Sequence, residues 1–147
     1  MRRAAAAGIL ASIALPSVGY SYEPRVNYEL QCMGCHLADG TGESGRVPSV
    51  RSTLVPFSMI PEGREFVLRV PGVAQSPLTD ADIAAVLNWM ARKLSDAPLP
   101  AGFRDYDAGE VRALRGRPLA QVSKARQKLL ERVPTPGVHD PADAERR

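Results

Sequence analysis

The sequence predicts an all-α fold: a small helical domain built around one bound group, with two short helices appended after it. Three observations carry this expectation. Apolar residues Ile83, Val86, Leu87, Met90 and Leu94 recur close to the i, i+3, i+4, i+7 spacing of a helix with one buried face. Helical spacing returns after residue 100, at Val122, Ala125, Leu129 and Val133. Finally, 147 residues with 44% hydrophobic side chains suffice for one modest core, yet only 5% are aromatic, so a bound group is expected to supply core volume.

The N-terminal segment reads as a targeting signal rather than as fold. Met1, Arg2 and Arg3 make a positive start, Ala4 to Leu15 is a mostly apolar run, Pro16 breaks it, and small residues follow at Ser17, Gly19 and Ser21. That order matches a secretory signal peptide over residues 1–21, cleaved after Gly19 or Ser21. The run is too short to span a bilayer comfortably, so no permanent membrane anchor is expected. Without Arg2 and Arg3 the chain is nearly neutral, with 17 basic against 16 acidic side chains. Residues 22–99 hold 7 basic and 9 acidic groups, residues 100–147 hold 10 and 7. A mildly basic tail on a mildly acidic core suits docking to a protein partner, and nothing in it reads as nucleic-acid binding.

The chemistry concentrates in Cys32-Met33-Gly34-Cys35-His36, which holds both cysteines of the chain. C-x-x-C-H is the attachment pattern of a covalently bound haem. Two thiols one helical turn apart can add across the two vinyl groups of the macrocycle, and the adjoining His36 then supplies an axial nitrogen to the iron. Haem c with its iron is therefore the expected cofactor. Three other readings compete. A lone cysteine pair in an exported chain admits a disulfide. A thioredoxin-like redox pair needs a strand–helix context that the sequence lacks. Zinc needs a second ligand pair, for which His139 is the one remaining histidine.

With those residues on the page, residues 24–95 resemble a class I cytochrome c. Tyr28 lies one turn before Cys32, where that family keeps an aromatic on its first helix. His36-Leu37-Ala38-Asp39-Gly40-Thr41-Gly42 is similar to the family's glycine-rich loop after the haem histidine, in which Gly40 and Gly42 permit a tight turn. Val47-Pro48-Ser49-Val50 resembles the next landmark, a proline whose carbonyl accepts a hydrogen bond from the axial histidine. The resemblance thus implies that Pro48 fixes the tautomer of His36 and tunes the iron; a proline that merely ends a turn is the alternative. Leu78-Thr79-Asp80-Ala81-Asp82-Ile83 opens a helix with Thr79 or Asp80 as cap and Asp82 near its positive end. Arg92 and Lys93 sit near the other end, and Asp96, Pro98 and Pro100 stop it. By resemblance, this helix crosses the first, with Trp89 against Tyr28.

The sequence departs from the family at the sixth iron position. The resembled proteins keep a methionine, often before proline, upstream of the last helix. Here Arg69-Val70-Pro71-Gly72-Val73-Ala74-Gln75-Ser76-Pro77 contains none, and Val70 sits where the sulfur is expected. Of four methionines, Met1 is in the signal, Met33 is inside the motif and Met90 is on the helix stripe. That leaves Met59, in Phe57-Ser58-Met59-Ile60-Pro61, as the candidate distal ligand. Its alternatives are a flexible core filler, or a site that is open or holds water, with Gln75 and Ser76 as the nearest polar groups. Glu62 to Arg69 reads as a short helix or turn. Arg64 or Arg69 could pair with haem propionates, although solvated surface charge is the expected state of both.

The haem domain is expected to span residues 22–99 and a helical extension residues 100–133. In the extension Asp107 caps Ala108 to Arg115 and Gly116 closes that helix. Pro118 starts a second one, made basic by Lys124, Arg126, Lys128 and Arg132. A Tyr-x-x-x-Glu-Val segment (Tyr106, Glu110, Val111), together with Asn88-Trp89, resembles a group of small bacterial cytochromes with such an extension. These helices either cover exposed core surface, including a haem edge, or dock a partner through the basic stripe. Residues 134–147, with Pro134, Pro136 and Pro141 among charges, read as disordered. No nucleophile–base pair, paired carboxylates or phosphate loop is present, so independent catalysis is not expected. The resemblance implies a periplasmic one-electron carrier between redox protein partners, with a dehydrogenase as donor and a cytochrome or oxidase as acceptor. Its rivals are a haem-based sensor or binder of small ligands with an open sixth site, and an obligate cytochrome subunit of an oxidoreductase complex.

Overall fold

The computed structural model describes residues 21–133; the expected signal peptide, apart from Ser21, and the expected disordered tail lie outside the described residues. Among the described residues there are eight helices and no strand, only an isolated bridge between Glu43 and Val47. The all-α fold is the one the sequence predicts.

Local chemistry places the helices. α1 (Pro24–Gln31) starts with proline at a position whose N–H has no helical partner anyway, and runs into α2 (Met33–His36) across Cys32. α3 (Leu54–Ser58) and α4 (Pro61–Arg69) form a tight hairpin. Gly63 permits it, because a Cβ there would stand 2.1 Å from the Phe57 carbonyl oxygen. Phe57 and Phe66 then meet edge to face at 5.6 Å. Val70 is extended because Pro71 follows it, so α4 stops and α5 (Pro71–Ala74) starts afresh. α6 (Asp80–Lys93) opens on Thr79, whose hydroxyl accepts from the Asp82 amide at 3.1 Å. Its buried stripe is Ile83, Val86, Leu87 and Met90, as the spacing predicts.

The extension repeats this logic with one difference. α7 (Ala108–Arg115) is capped by Asp107, which accepts from the Glu110 amide at 2.9 Å. α8 begins at Val122, not at Pro118, and ends at Arg132. The intervening residues are held instead by α4: the Leu119 amide donates to the Arg69 carbonyl at 2.8 Å, and the Arg69 guanidinium donates to the Arg117 carbonyl at 2.6 Å. A strand-like exchange with a distant helix end outcompetes helix initiation at Pro118.

Two helix groups result. α1 packs on α2 and α6; α4 packs on α3, α5 and α8; α7 bridges the groups by packing on both α6 and α4. The extension is therefore part of the core, and Tyr106, Val111, Leu129 and Val133 are buried with the rest of it.

A buried ion pair carries the bridge. Arg64 is only 6% exposed, so the expectation of solvated charge does not hold for it. Its guanidinium grips both Glu110 oxygens, at 2.7 and 2.6 Å, and donates to the Arg104 carbonyl at 2.7 Å. It also lies 4.0 Å over the Tyr106 ring. Tyr106 in turn shares a 2.7 Å hydrogen bond with Ser58, and its backbone exchanges two 2.9 Å bonds with the Asn88 side chain on α6. Arg69 pairs with Glu65, and neither arginine is placed to meet a bound carboxylate.

Glu110→Ala is expected to lower the unfolding free energy by about 3 kcal/mol, because it strands the Arg64 charge in the interior; urea denaturation checks this. Burial pushes the Glu110 carboxyl up, but the Arg64 hydrogen bond and charge together outweigh it and hold it below the usual glutamate range. A depressed folded value makes this stabilisation complete above the ordinary glutamate pKa and lost as pH falls through the depressed one. Urea midpoints should therefore drop on acidification in the wild type, and Glu110→Gln should flatten that slope.

Candidate functional site

The attachment motif is shaped by one turn of helix. The Cys35 and His36 amides both donate to the Cys32 carbonyl, at 3.1 and 3.0 Å, which sets the two thiols one turn apart. Both cysteines are free, Cys32 half-buried and Cys35 exposed. Burial, with the neighbouring Cys35 adding to it, pushes the Cys32 thiol up to about 11, so it stays protonated at neutral pH.

Leu37 ends the turn at φ 58° and ψ 172°, a region almost reserved for glycine. A non-glycine residue there costs about 1–3 kcal/mol. The Tyr28 hydroxyl offsets part of this by donating to the Leu37 carbonyl at 2.6 Å. Tyr28 is 1% exposed, and its ring meets that of Trp89 at 5.3 Å with a 42° tilt. The aromatic crossing of α1 and α6 that the resemblance implies is thus present, and it holds the end of α2 as well.

The loop after α2 folds back on the imidazole. The Gly42 amide donates to the His36 carbonyl at 3.2 Å, and Gly42 has φ 73°. A Cβ on Gly42 would lie 2.3 Å from the Val47 carbonyl and 2.9 Å from that of Pro48. Only glycine lets the Pro48 strand approach. Burial pushes the His36 pKa down, and the Pro48 carbonyl works against this by favouring the protonated ring. The carbonyl does not reach full hydrogen-bond geometry, however, and Nδ1 is buried without a partner.

Cys32, Cys35, His36 and Pro48 share the wall of a cavity of about 290 Å³ between the two helix groups. α6 contributes Ile83, Val86, Leu87 and Met90 to it. α3, α4 and α5 contribute Leu54, Phe57, Phe66, Val67 and Val73, with Val70 between α4 and α5. Two free thiols and a half-buried imidazole, set in a largely hydrocarbon-lined hollow, fit a flat apolar group that bonds to thiols and takes a nitrogen ligand. Among the described residues no three His, Cys, Asp or Glu side chains gather as a metal cluster of their own.

Met59 is not brought to this cavity. It caps the C-terminal end of α3, is 40% exposed, and its methyl group lies toward Gly102. The turn that admits Pro61 as the first residue of α4 points it outward. Of the two polar candidates, Ser76 lines the cavity and Gln75 does not. Sequence reasoning missed Val122 and Arg126 of α8 and Arg46, which also line it. The i, i+4 spacing of Val122 and Arg126 was the available signal, but nothing local to α8 says what that face meets.

Among the described residues no helix is long and apolar enough to cross a membrane. No protein-family model matches the chain. Cytochrome c-552 of Thermus thermophilus is 34% identical over 119 aligned residues, which cover 67% of this chain and 91% of that protein. A second Thermus thermophilus cytochrome c-552 is likewise 34% identical over 119 residues, covering 67% of this chain and 80% of the relative.

Gly42 and Gly45 give a paired test of the loop. Both have positive φ, but a Cβ on Gly45 meets nothing within 4 Å. Gly45→Ala is expected to cost only the conformational penalty, about 1–2 kcal/mol. Gly42→Ala must also displace the Val47 and Pro48 carbonyls, so its loss in thermal or urea stability should be clearly the larger.

Proposed function

The chain belongs to the c-type cytochromes, and from that membership we propose that it is a periplasmic one-electron carrier in which Cys32 and Cys35 anchor the haem, His36 binds the iron and Pro48 orients His36. Covalent haem c with its iron is the cofactor, and electron transfer rather than catalysis is the role. The bound group supplies an iron that alternates between ferric and ferrous states, one electron at a time.

The observation that carries the residue assignment is the juxtaposition of two thiols and one imidazole on a single wall of an apolar cavity. With the haem bound, Cys32 and Cys35 would each hold it by a thioether, the thiol hydrogen and sulfur adding across one vinyl group, so the attachment would need no oxidant. His36 keeps a nitrogen for the iron if the other ring nitrogen holds its proton toward the Pro48 carbonyl, which a small closing of the loop achieves. The hydrocarbon walls exclude water and disfavour the more highly charged ferric form. Exposed Cys35 leaves the attached edge of the group near solvent, where a docked protein can exchange electrons with it.

In this reading the donor is a dehydrogenase and the acceptor a cytochrome or oxidase. Exposed Lys124 and Lys128 on α8 supply a positive surface beside the cavity, which speeds encounter with an acidic partner. Residues 1–21 direct export, and residues 22–99 and 100–133 act as haem domain and extension.

Expression in a host that matures c-type cytochromes should yield a periplasmic protein that starts at Tyr20 or Tyr22 and keeps its haem on a denaturing gel. Cys32→Ala with Cys35→Ala should lose that haem. A redox titration should show one reversible one-electron transition. A haem that extracts with acidic organic solvent, or a transition that does not reverse, would rule the reading out.

A further inference from the structure

We propose that no side chain among the described residues gives the sixth position of the haem iron a permanent ligand, and that the facing wall makes it a binding site for small neutral molecules, carbon monoxide and nitric oxide. The inference rests on the reading of His36 as the proximal ligand, and it concerns what the rest of the cavity offers across from it.

The helix grouping decides which residues can reach the far face. His36 belongs to the group of α1, α2 and α6. A ligand opposite to it has to come from the group of α3, α4, α5 and α8. From α4 and α5 that group turns Phe66, Val67, Val70 and Val73 to the cavity, all of them hydrocarbon. From α8 it presents Val122 and Arg126, and a guanidinium has no lone pair to give at any ordinary pH. The sulfur of Met59 lies outside, near Gly102. Met90 is the one thioether in the lining, but it stands on α6, in the group that carries His36, one residue from the Trp89 that packs on Tyr28.

Polarity selects the ligand class. The Thr53 hydroxyl donates to the Ser49 carbonyl at 2.7 Å, and the Ser49 hydroxyl to the Gly40 carbonyl at 3.3 Å. The Ser76 oxygen is turned back to the Leu78 amide at 3.3 Å, and Arg46 is held by Glu43 at 2.9 Å. Hydrogen-bond donors in the pocket decide between dioxygen and other ligands. Dioxygen becomes strongly polarised when bound and gains from such donors, whereas carbon monoxide and nitric oxide need none. Small size and neutrality suit the hydrocarbon wall of Phe66, Val67, Val70 and Val73, against which an anion would be desolvated.

The test is the visible spectrum of the purified, covalently loaded holoprotein, reduced and then exposed to carbon monoxide. The expected result is a prompt, saturable shift of the main haem band, with no weak red sulfur-to-iron band in the oxidised protein. Val70→Met places a thioether on the second wall, and it should weaken carbon monoxide binding about tenfold if the sulfur holds the iron nine-tenths of the time. A wild-type spectrum that is low-spin and unmoved by carbon monoxide would overturn the proposal; recovery of the shift in Met90→Leu would then identify Met90 as the ligand. Loss of covalent haem or of reversible reduction is a separate failure, of the electron-carrier reading itself, and it would take this inference with it.

Discussion

The two helix groups do not close on each other. Between α1–α2–α6 and α3–α4–α5–α8, the buried residues Phe57, Val67, Val86 and Leu87 also line a shared cavity. Protein interiors are packed to the density of organic crystals, so such a hollow forfeits dispersion contacts along its whole wall. The family's cofactor is a covalent haem, a group that would fit such a hollow. Low aromatic content, two thiols on the cavity wall and an all-α architecture agree with that single constraint.

A fold split by a cofactor needs something else to fix its halves, and here α7 does it. Arg64 and Glu110 form a nearly desolvated pair, and a pair of that kind adds little net stability compared with a hydrophobic contact of the same volume. Its value is directional. Five donor–acceptor contacts from Arg64 to Glu110, Ser58, Arg104 and Asp105 define one arrangement of α7 on α4. Asn88 defines the matching arrangement on α6 by pairing both its side-chain atoms with the backbone of Tyr106. The extension thereby ties α6 to α4 through α7, and α8 continues it to Val122 and Arg126 at the cavity wall.

The two sides of the cavity differ chemically. The wall that carries His36 is built from a local motif, a glycine-dependent loop and a carbonyl, all close in sequence. The wall formed by α4 and α5 is hydrocarbon, because their short connection through Val70 and Pro71 carries no donor side chain.

What the sequence by itself determined is whatever one helical turn decides. The C-x-x-C-H spacing, the Thr79 and Asp107 caps, the buried stripe of α6 and the all-α class were legible because each depends on residues within about four positions of one another. The aromatic crossing of Tyr28 and Trp89 was legible only through resemblance. The outward turn of Met59, the burial of Arg64 and the late start of α8 were decided by tertiary structure. In each case the partner lies far off along the chain: Gly102 for Met59, Glu110 for Arg64, Arg69 for the residues ahead of α8. Periodicity states which face of a helix is apolar or charged. It does not state which distant segment will desolvate that face, and desolvation is what turns an arginine into a clasp and leaves a methionine idle at the surface.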